Sequence, residues 1–250
     1  MPELSALIFD VDGTLADTEK DGHRVAFNQA FREKGLDWNW SVPFYGSLLE
    51  VPGGKERIRF YLEQYCPNFQ APQNLSEWIA ELHKSKNKYY QRLLAEGKIP
   101  LRPGVRRLLT EAREKGVRLA IATTSALPNA LTLLEKSLDP SWFEVIAAGD
   151  IVSKKKPAPD IYFYVLEKMD LPASQCLVFE DSSQGLIAAN KAGLKTIVTV
   201  NNYTKSQNFS NAVLVLSDLG ELEEPFNIIV GQIAQCKYLD MEALYQLSNS

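Results

Sequence analysis

Two hydrophobic patterns alternate along this chain. Short apolar runs occur at Leu4, Leu7, Ile8 and Phe9, then at Val117 to Ala122, Phe143 to Ala147, Cys176 to Phe179 and Thr196 to Val200. Runs of that length read as strands buried on both faces of a parallel sheet. Between them the apolar positions take helical spacing. Val105, Leu108, Leu109 and Ala112 mark one helix, with Pro103 placed for its first turn and Gly116 for its end. Pro128 to Leu138, Asp160 to Met169 and Gln184 to Ala192 mark others. Such alternation implies right-handed crossovers and an α/β fold with helices on both faces of the sheet. Val213 to Leu216 is expected to be the last strand.

The stretch after the first strand breaks this rhythm. Glu19 to Lys34 carries Phe27, Ala30 and Phe31 on a helical stripe that ends at Gly35. A Trp38-Asn-Trp40 loop and Tyr45 follow. Ile58, Tyr61, Leu62 and Tyr65 mark a second amphipathic helix, and Trp78, Ile79, Leu82, Tyr89, Leu93 and Leu94 a third. No strand is expected there. The predicted organisation is a core of residues 1–16 and 100–225, a helical insertion of residues 17–99, and a tail of residues 226–250 that adds helix.

Composition changes little in this picture. A hydrophobic content of 45% and a net charge of −4 over 250 residues fit an ordinary globule with no general attraction to nucleic acid or anionic membrane. Cys66, Cys176 and Cys236 are far apart, which suits reduced thiols, and His23 and His83 are too few for a soft-metal cage. No apolar run approaches the roughly 20 residues of a membrane span. With no charged leader ahead of the first strand, a soluble cytoplasmic protein is expected, or a stromal one if a chloroplast form has been trimmed.

The candidate chemistry lies at the strand ends. Asp10 and Asp12 close the first run, at the carboxyl edge where open α/β sheets place ligands, and Gly13 lets the chain turn. Acids this close repel unless a cation, a shared proton or solvent relieves them. Thr123, Thr124 and Ser125 close the second run and offer hydroxyl and N–H groups to phosphate, although alone they read as a helix cap. Lys156 stands before Pro157 and Pro159, which stiffen the chain and can aim its ammonium; Lys154 and Lys155 read as solvated. Glu180 and Asp181 end the fourth run, where an acidic helix start is the plainer reading. Together these are four acids against one lysine, so a divalent cation is expected, and all-oxygen ligands favour Mg²⁺.

Asp10, Asp12, Gly13 and Thr14 resemble the Asp-x-Asp-Gly-Thr motif of the haloacid dehalogenase (HAD) superfamily, and Thr123, Lys156 and Glu180/Asp181 match its later motifs in order. The resemblance implies a Rossmann-like core with an α-helical cap, and phosphoryl rather than dehalogenase chemistry, since the second acid is present. It also implies Asp10 as nucleophile, Asp12 as acid and base, and Thr123 and Lys156 as phosphate holders. Mg²⁺ would rest on Asp10, the Asp12 carbonyl and Asp181, with Glu180 close by.

The insertion is then a cap, whose candidate substrate groups are Glu19, His23, Arg24, Gly54, Lys55 and Arg57. Gly53-Gly54-Lys55 is not a nucleotide P-loop, because Leu49 and Glu56 stand where glycine and Ser/Thr are required. A glycine turn opening a helix, with Lys55 and Arg57 in its first turn, remains a plausible anion site. Asp21 to Asn28, Gly35 to Trp40 and Gly53 to Ile58 resemble the CbbY family, although Thr18 to His23 is a residue longer than in many relatives. That likeness implies a monomeric phosphatase for xylulose-1,5-bisphosphate, a small-molecule sugar bisphosphate that inhibits Rubisco in carbon fixation. β-Phosphoglucomutase and phosphoglycolate phosphatase share the motifs, and a non-catalytic binding protein could share the fold.

Overall fold

The first apolar run becomes β1 (Ala6–Phe9), wholly buried, with parallel partners on both sides. These are β2 (Arg118–Thr123) and β4 (Cys176–Glu180). The computed structural model describes residues 4–51, 53–70, 72–149, 151–233 and 236–249. It divides the chain into two units, Met1–Asp17 with Pro100–Ser250, and Thr18–Ile99.

In the first unit, β3 (Val145–Ala148), β5 (Lys195–Thr199), β6 (Leu214–Leu216) and β7 (Ile228–Val230) complete a sheet of order β3-β2-β1-β4-β5-β6-β7. All pairs are parallel except β6 with β7. Phe9 pairs with Ile121 on one side and Phe179 on the other, so the residues just after them reach the same edge. The Phe9 and Phe179 rings stack at 4.4 Å, sealing the core beneath that edge. On one face Ala120, Ala122 and Ala147 leave room for Tyr162, Val165 and Met169 of a helix at Asp160–Met169. Burying each large side chain there is worth about 1.5–3 kcal/mol.

Three sequence expectations need correction here. Val213 to Leu216 is not the last strand: β7 follows, antiparallel, from within the tail read as helical, and among the tail's described residues the helix is Met241–Asn249. Three apolar residues carry no decisive period, and the open edge of β6 decides their state. Pro103 lies outside its helix, which begins at Val105 behind Gly104 in a left-handed conformation (φ 80°). Gly104 is needed there, because a side chain would meet the Leu219–Gly220 backbone.

The second unit, among its described residues, is helical: Arg24–Glu33, Val42–Leu48, Gly54–Tyr65 and Leu75–Ala95. The expected helix from Glu19 begins as a π-turn at Thr18–His23, the local form that absorbs one extra residue, and turns α-helical at Arg24. The helix Val42–Leu48 is not among the predicted elements; its seven residues are too few for a periodic signal, though Ser41 caps it by accepting from the Phe44 N–H. Trp40 is fully buried, its backbone tied to the Asn28 amide at 2.8 and 3.0 Å.

Candidate active site

The parallel register brings Asp10, Thr123 and Glu180 to one edge of the sheet, and the chain beyond β3 delivers Lys156 to them. Lys156 Nζ donates to Asp10 Oδ1 at 2.7 Å, Glu180 Oε1 at 2.6 Å and the Ala122 carbonyl at 2.8 Å. Its three protons are therefore all directed, and its side chain is only 6% exposed. Lys154 and Lys155 are exposed. Burial alone would lower the Lys156 pKa, but Asp10 and Glu180 outweigh it and hold the ammonium well above its ordinary value.

The acids feel the opposite force. Burial raises the Asp10 carboxyl to about 8; Glu180 and Asp12 add to the rise and Lys156 opposes it. Asp181 is also raised, by burial first and then by Asp10 and Glu180. Carboxylate oxygens of Asp10, Glu180 and Asp181 all lie within 4.8 Å of one another. Three buried acids facing one buried lysine, with oxygen as the only donor type, fit a hard divalent cation.

Thr123, Thr124 and Ser125, expected as one phosphate-holding cluster, take separate parts in the structure, two of them at Asp12. Asp12 Oδ2 accepts from Ser125 Oγ and, at 3.4 Å, from Thr123 Oγ1. Thr123 Oγ1 in turn accepts from the Ser125 N–H at 3.1 Å. Thr124 is exposed and outside this network. Thr14 Oγ1 reaches Asp10 Oδ2 at 3.5 Å.

Two groups supporting this edge were not among the candidates named from the sequence. Tyr162 donates to Glu180 Oε1 at 2.6 Å, and Asn201 Nδ2 donates to Asp181 Oδ2 at 2.7 Å. Asn201 ends the run Ile197 to Val200 just as Asp10 ends the first, so strand-end logic applied once more would have found it.

In the helical unit, Tyr45 donates to Glu19 Oε2 at 2.6 Å and accepts from Arg57 Nη1 at 3.0 Å. Arg57, read as an anion ligand, is buried and also donates to the carbonyls of Leu48 and Val51. Arg24 is directed to the carbonyls of Lys20 and Trp40. Lys55 is exposed, and a side chain at Gly54 would strike the His83 ring. Burial lowers the pKa of His83 to about 4, with Lys86 and Lys55 adding to the shift.

His23 stacks on Tyr90 at 3.8 Å and accepts at Nδ1 from Lys86 Nζ at 2.7 Å. Lys86 interrupts the stripe Ile79, Leu82, Tyr90 and Leu93, and a lysine on an apolar face is the signal that marks it. Burial lowers its pKa to about 8, against Glu19. Below pH 8 both folded and unfolded chains hold the proton, and the cost of burying the ammonium is borne in full. Between pH 8 and about 10.5 only the unfolded chain holds it, so stability rises with pH. Denaturant unfolding across this window should show that rise in wild type and lack it in Lys86→Met; equal slopes would rule it out.

The family model for "haloacid dehalogenase-like hydrolase" matches residues 4–193. The CbbY protein of Cupriavidus necator is 44% identical over 244 residues, 96% of this chain and 95% of that one. Among solved structures, a mutant of Rhodobacter sphaeroides CbbY in complex with xylulose-1,5-bisphosphate is 43% identical, with TM-score 0.70 over 88% of this chain and 98% of that one. A putative β-phosphoglucomutase of Thermotoga maritima is 28% identical, with TM-score 0.69 over 84% of this chain and 93% of that one. No helix among the described residues is long and apolar enough to cross a membrane.

Proposed function

This chain belongs to the haloacid dehalogenase-like hydrolases, and we propose that within them it is a Mg²⁺-dependent sugar-phosphate phosphatase that converts xylulose-1,5-bisphosphate to xylulose 5-phosphate. The observation that carries the reading is the buried Lys156 ammonium shared by Asp10 and Glu180 at the sheet edge. The substrate follows from the likeness to CbbY, and with it the clearing of a Rubisco inhibitor. A monomer working in the cytoplasm, or in the stroma as a trimmed form, suits this role.

Asp10 attacks phosphorus in line, and the P–O bond to the sugar breaks as the aspartyl phosphate forms. Asp12, protonated, gives its proton to the leaving alkoxide; Ser125 and Thr123 hold the Asp12 carboxyl in place for that transfer. Asp12 then takes a proton from water, which attacks phosphorus and frees Asp10 and inorganic phosphate. Lys156 favours the ionised form of Asp10 against the burial that disfavours it, and its ammonium offsets the negative charge of the phosphoryl group. Mg²⁺ would be held by Asp10, Asp181 and the Asp12 carbonyl with Glu180 beside them, and when bound it supplies positive charge against the phosphoryl oxygens and the crowded acids.

Incubation with xylulose-1,5-bisphosphate is expected to release inorganic phosphate as xylulose 5-phosphate accumulates. Chelation should silence the reaction and added Mg²⁺ should restore it. Isomerisation of a sugar phosphate without phosphate release would assign a mutase, a higher kcat/KM for phosphoglycolate would replace the substrate, and indifference to chelator would remove the metal.

A further inference from the structure

Asp181 is not held by the cluster of acids alone. Its Oδ2 accepts from Asn201 Nδ2 at 2.7 Å, and that amide is fixed from its other end. Asn201 Oδ1 accepts from the Tyr203 N–H at 2.9 Å. A backbone N–H can only donate, so the amide oxygen must face Tyr203 and the NH₂ must face Asp181.

The turn carrying Asn201 is closed on itself. The Asn201 N–H donates to Thr204 Oγ1 at 3.0 Å, its carbonyl accepts from the Thr204 and Lys205 N–H groups at 3.3 and 3.2 Å, and Thr204 is buried. Gly13, the residue after Asp12, is pressed against the same pair. Any side chain at Gly13 would collide with Asp181 Oδ2 and Asn201 Nδ2. Arg102 fixes that glycine from behind by donating to its carbonyl.

We infer that Asn201 is a positioning residue that holds the Asp181 carboxylate by Oδ2 and so presents Oδ1 to the cation. The inference rests on the proposed Mg²⁺ site. A ligating carboxylate with one oxygen pinned loses less rotational freedom when it binds, and removing such an outer partner typically costs 10–100-fold in metal affinity.

Direct titration of the protein with Mn²⁺ by calorimetry, alongside the Mg²⁺ dependence of turnover, tests this. Asn201→Ala is expected to bind Mn²⁺ about 10–100-fold more weakly, with kcat recovered at saturating Mg²⁺. Thr204→Val removes one support of the turn but keeps the Asn201 amide, and should lose clearly less Mn²⁺ affinity than Asn201→Ala. Equal affinity in wild type and Asn201→Ala overturns the inference, as does a Thr204→Val loss equal to that of Asn201→Ala. A wild-type protein that binds no Mn²⁺ overturns the metal site itself, and the inference with it. Asp181→Asn marks the expected floor.

Discussion

Asp10→Asn is expected to abolish turnover of every phosphate ester, by about 10⁴-fold or more, because the group that forms the covalent intermediate is gone while the rest of the site stays. The substitution is nearly isosteric, and Lys156 keeps Glu180 and the Ala122 carbonyl as acceptors. The fold should therefore not suffer. With metal removed it should gain, for a physical reason. Burial raises the Asp10 carboxyl to about 8 from an ordinary 3.8, so between those values the folded chain binds a proton that the unfolded chain has lost. Stability of the wild-type apoprotein consequently falls as pH rises through that window, and the amide removes the contribution. Thermal unfolding from pH 4 to 8 in chelator should show a shallower decline for Asp10→Asn. Residual activity within tenfold of wild type would refute Asp10 as nucleophile, whatever the melting curves show.

Why Asp10, Lys156 and Glu180 could be found together from sequence, while Arg102 could not, follows from what a hydrophobic pattern encodes. A run such as Leu7-Ile8-Phe9 or Leu177-Val178-Phe179 identifies a buried parallel strand, and parallel strands share one carboxyl edge. The polar residue ending each run is therefore placed in space with no knowledge of its partners. Lys156 is a step harder, since it lies on a loop, but a ligand-sized cluster of acids needs a cation. Arg102 has no such logic. Its partners Gly13 and Ser217 lie 89 and 115 positions away, and nothing local to Pro100-Leu101-Arg102 distinguishes it from a solvated arginine. Lys86 is intermediate, hidden among Lys84 and Lys88 yet out of phase with them and in phase with Leu82 and Tyr90. The strand β7 was missed because its state is set by the edge it joins. That the helix expected from Glu19 opens as a π-turn at Thr18–His23 likewise leaves no mark in the apolar pattern.

Arg102→Leu should be the most destabilising single change in the core unit, by about 3–5 kcal/mol, the cost of removing one side of a buried charged network. Arg102 is 8% exposed, and its guanidinium donates to the carbonyls of Gly13, Thr199, Val200 and Ser217 and to the Thr199 hydroxyl. Asp17 lies 3.9 Å from its Nε, so the charge is only loosely paired and the carbonyls do most to solvate it. Leucine fills part of the volume but leaves these acceptors buried and without a donor, which costs more than never having made the bonds. Arg102→Lys separates charge from geometry. An ammonium keeps the charge but has three protons in a compact head, against a planar fork that serves the ends of β5 and β6 and the Gly13 turn together. It should recover less than half of the loss in denaturant unfolding. Because the Gly13 carbonyl follows the proposed acid Asp12 by one residue, the lysine variant should also turn over more slowly at saturating substrate even where it is fully folded. A loss below about 1 kcal/mol in Arg102→Leu would mean that water replaces the guanidinium, and that the five-acceptor cage does not set the position of the first turn.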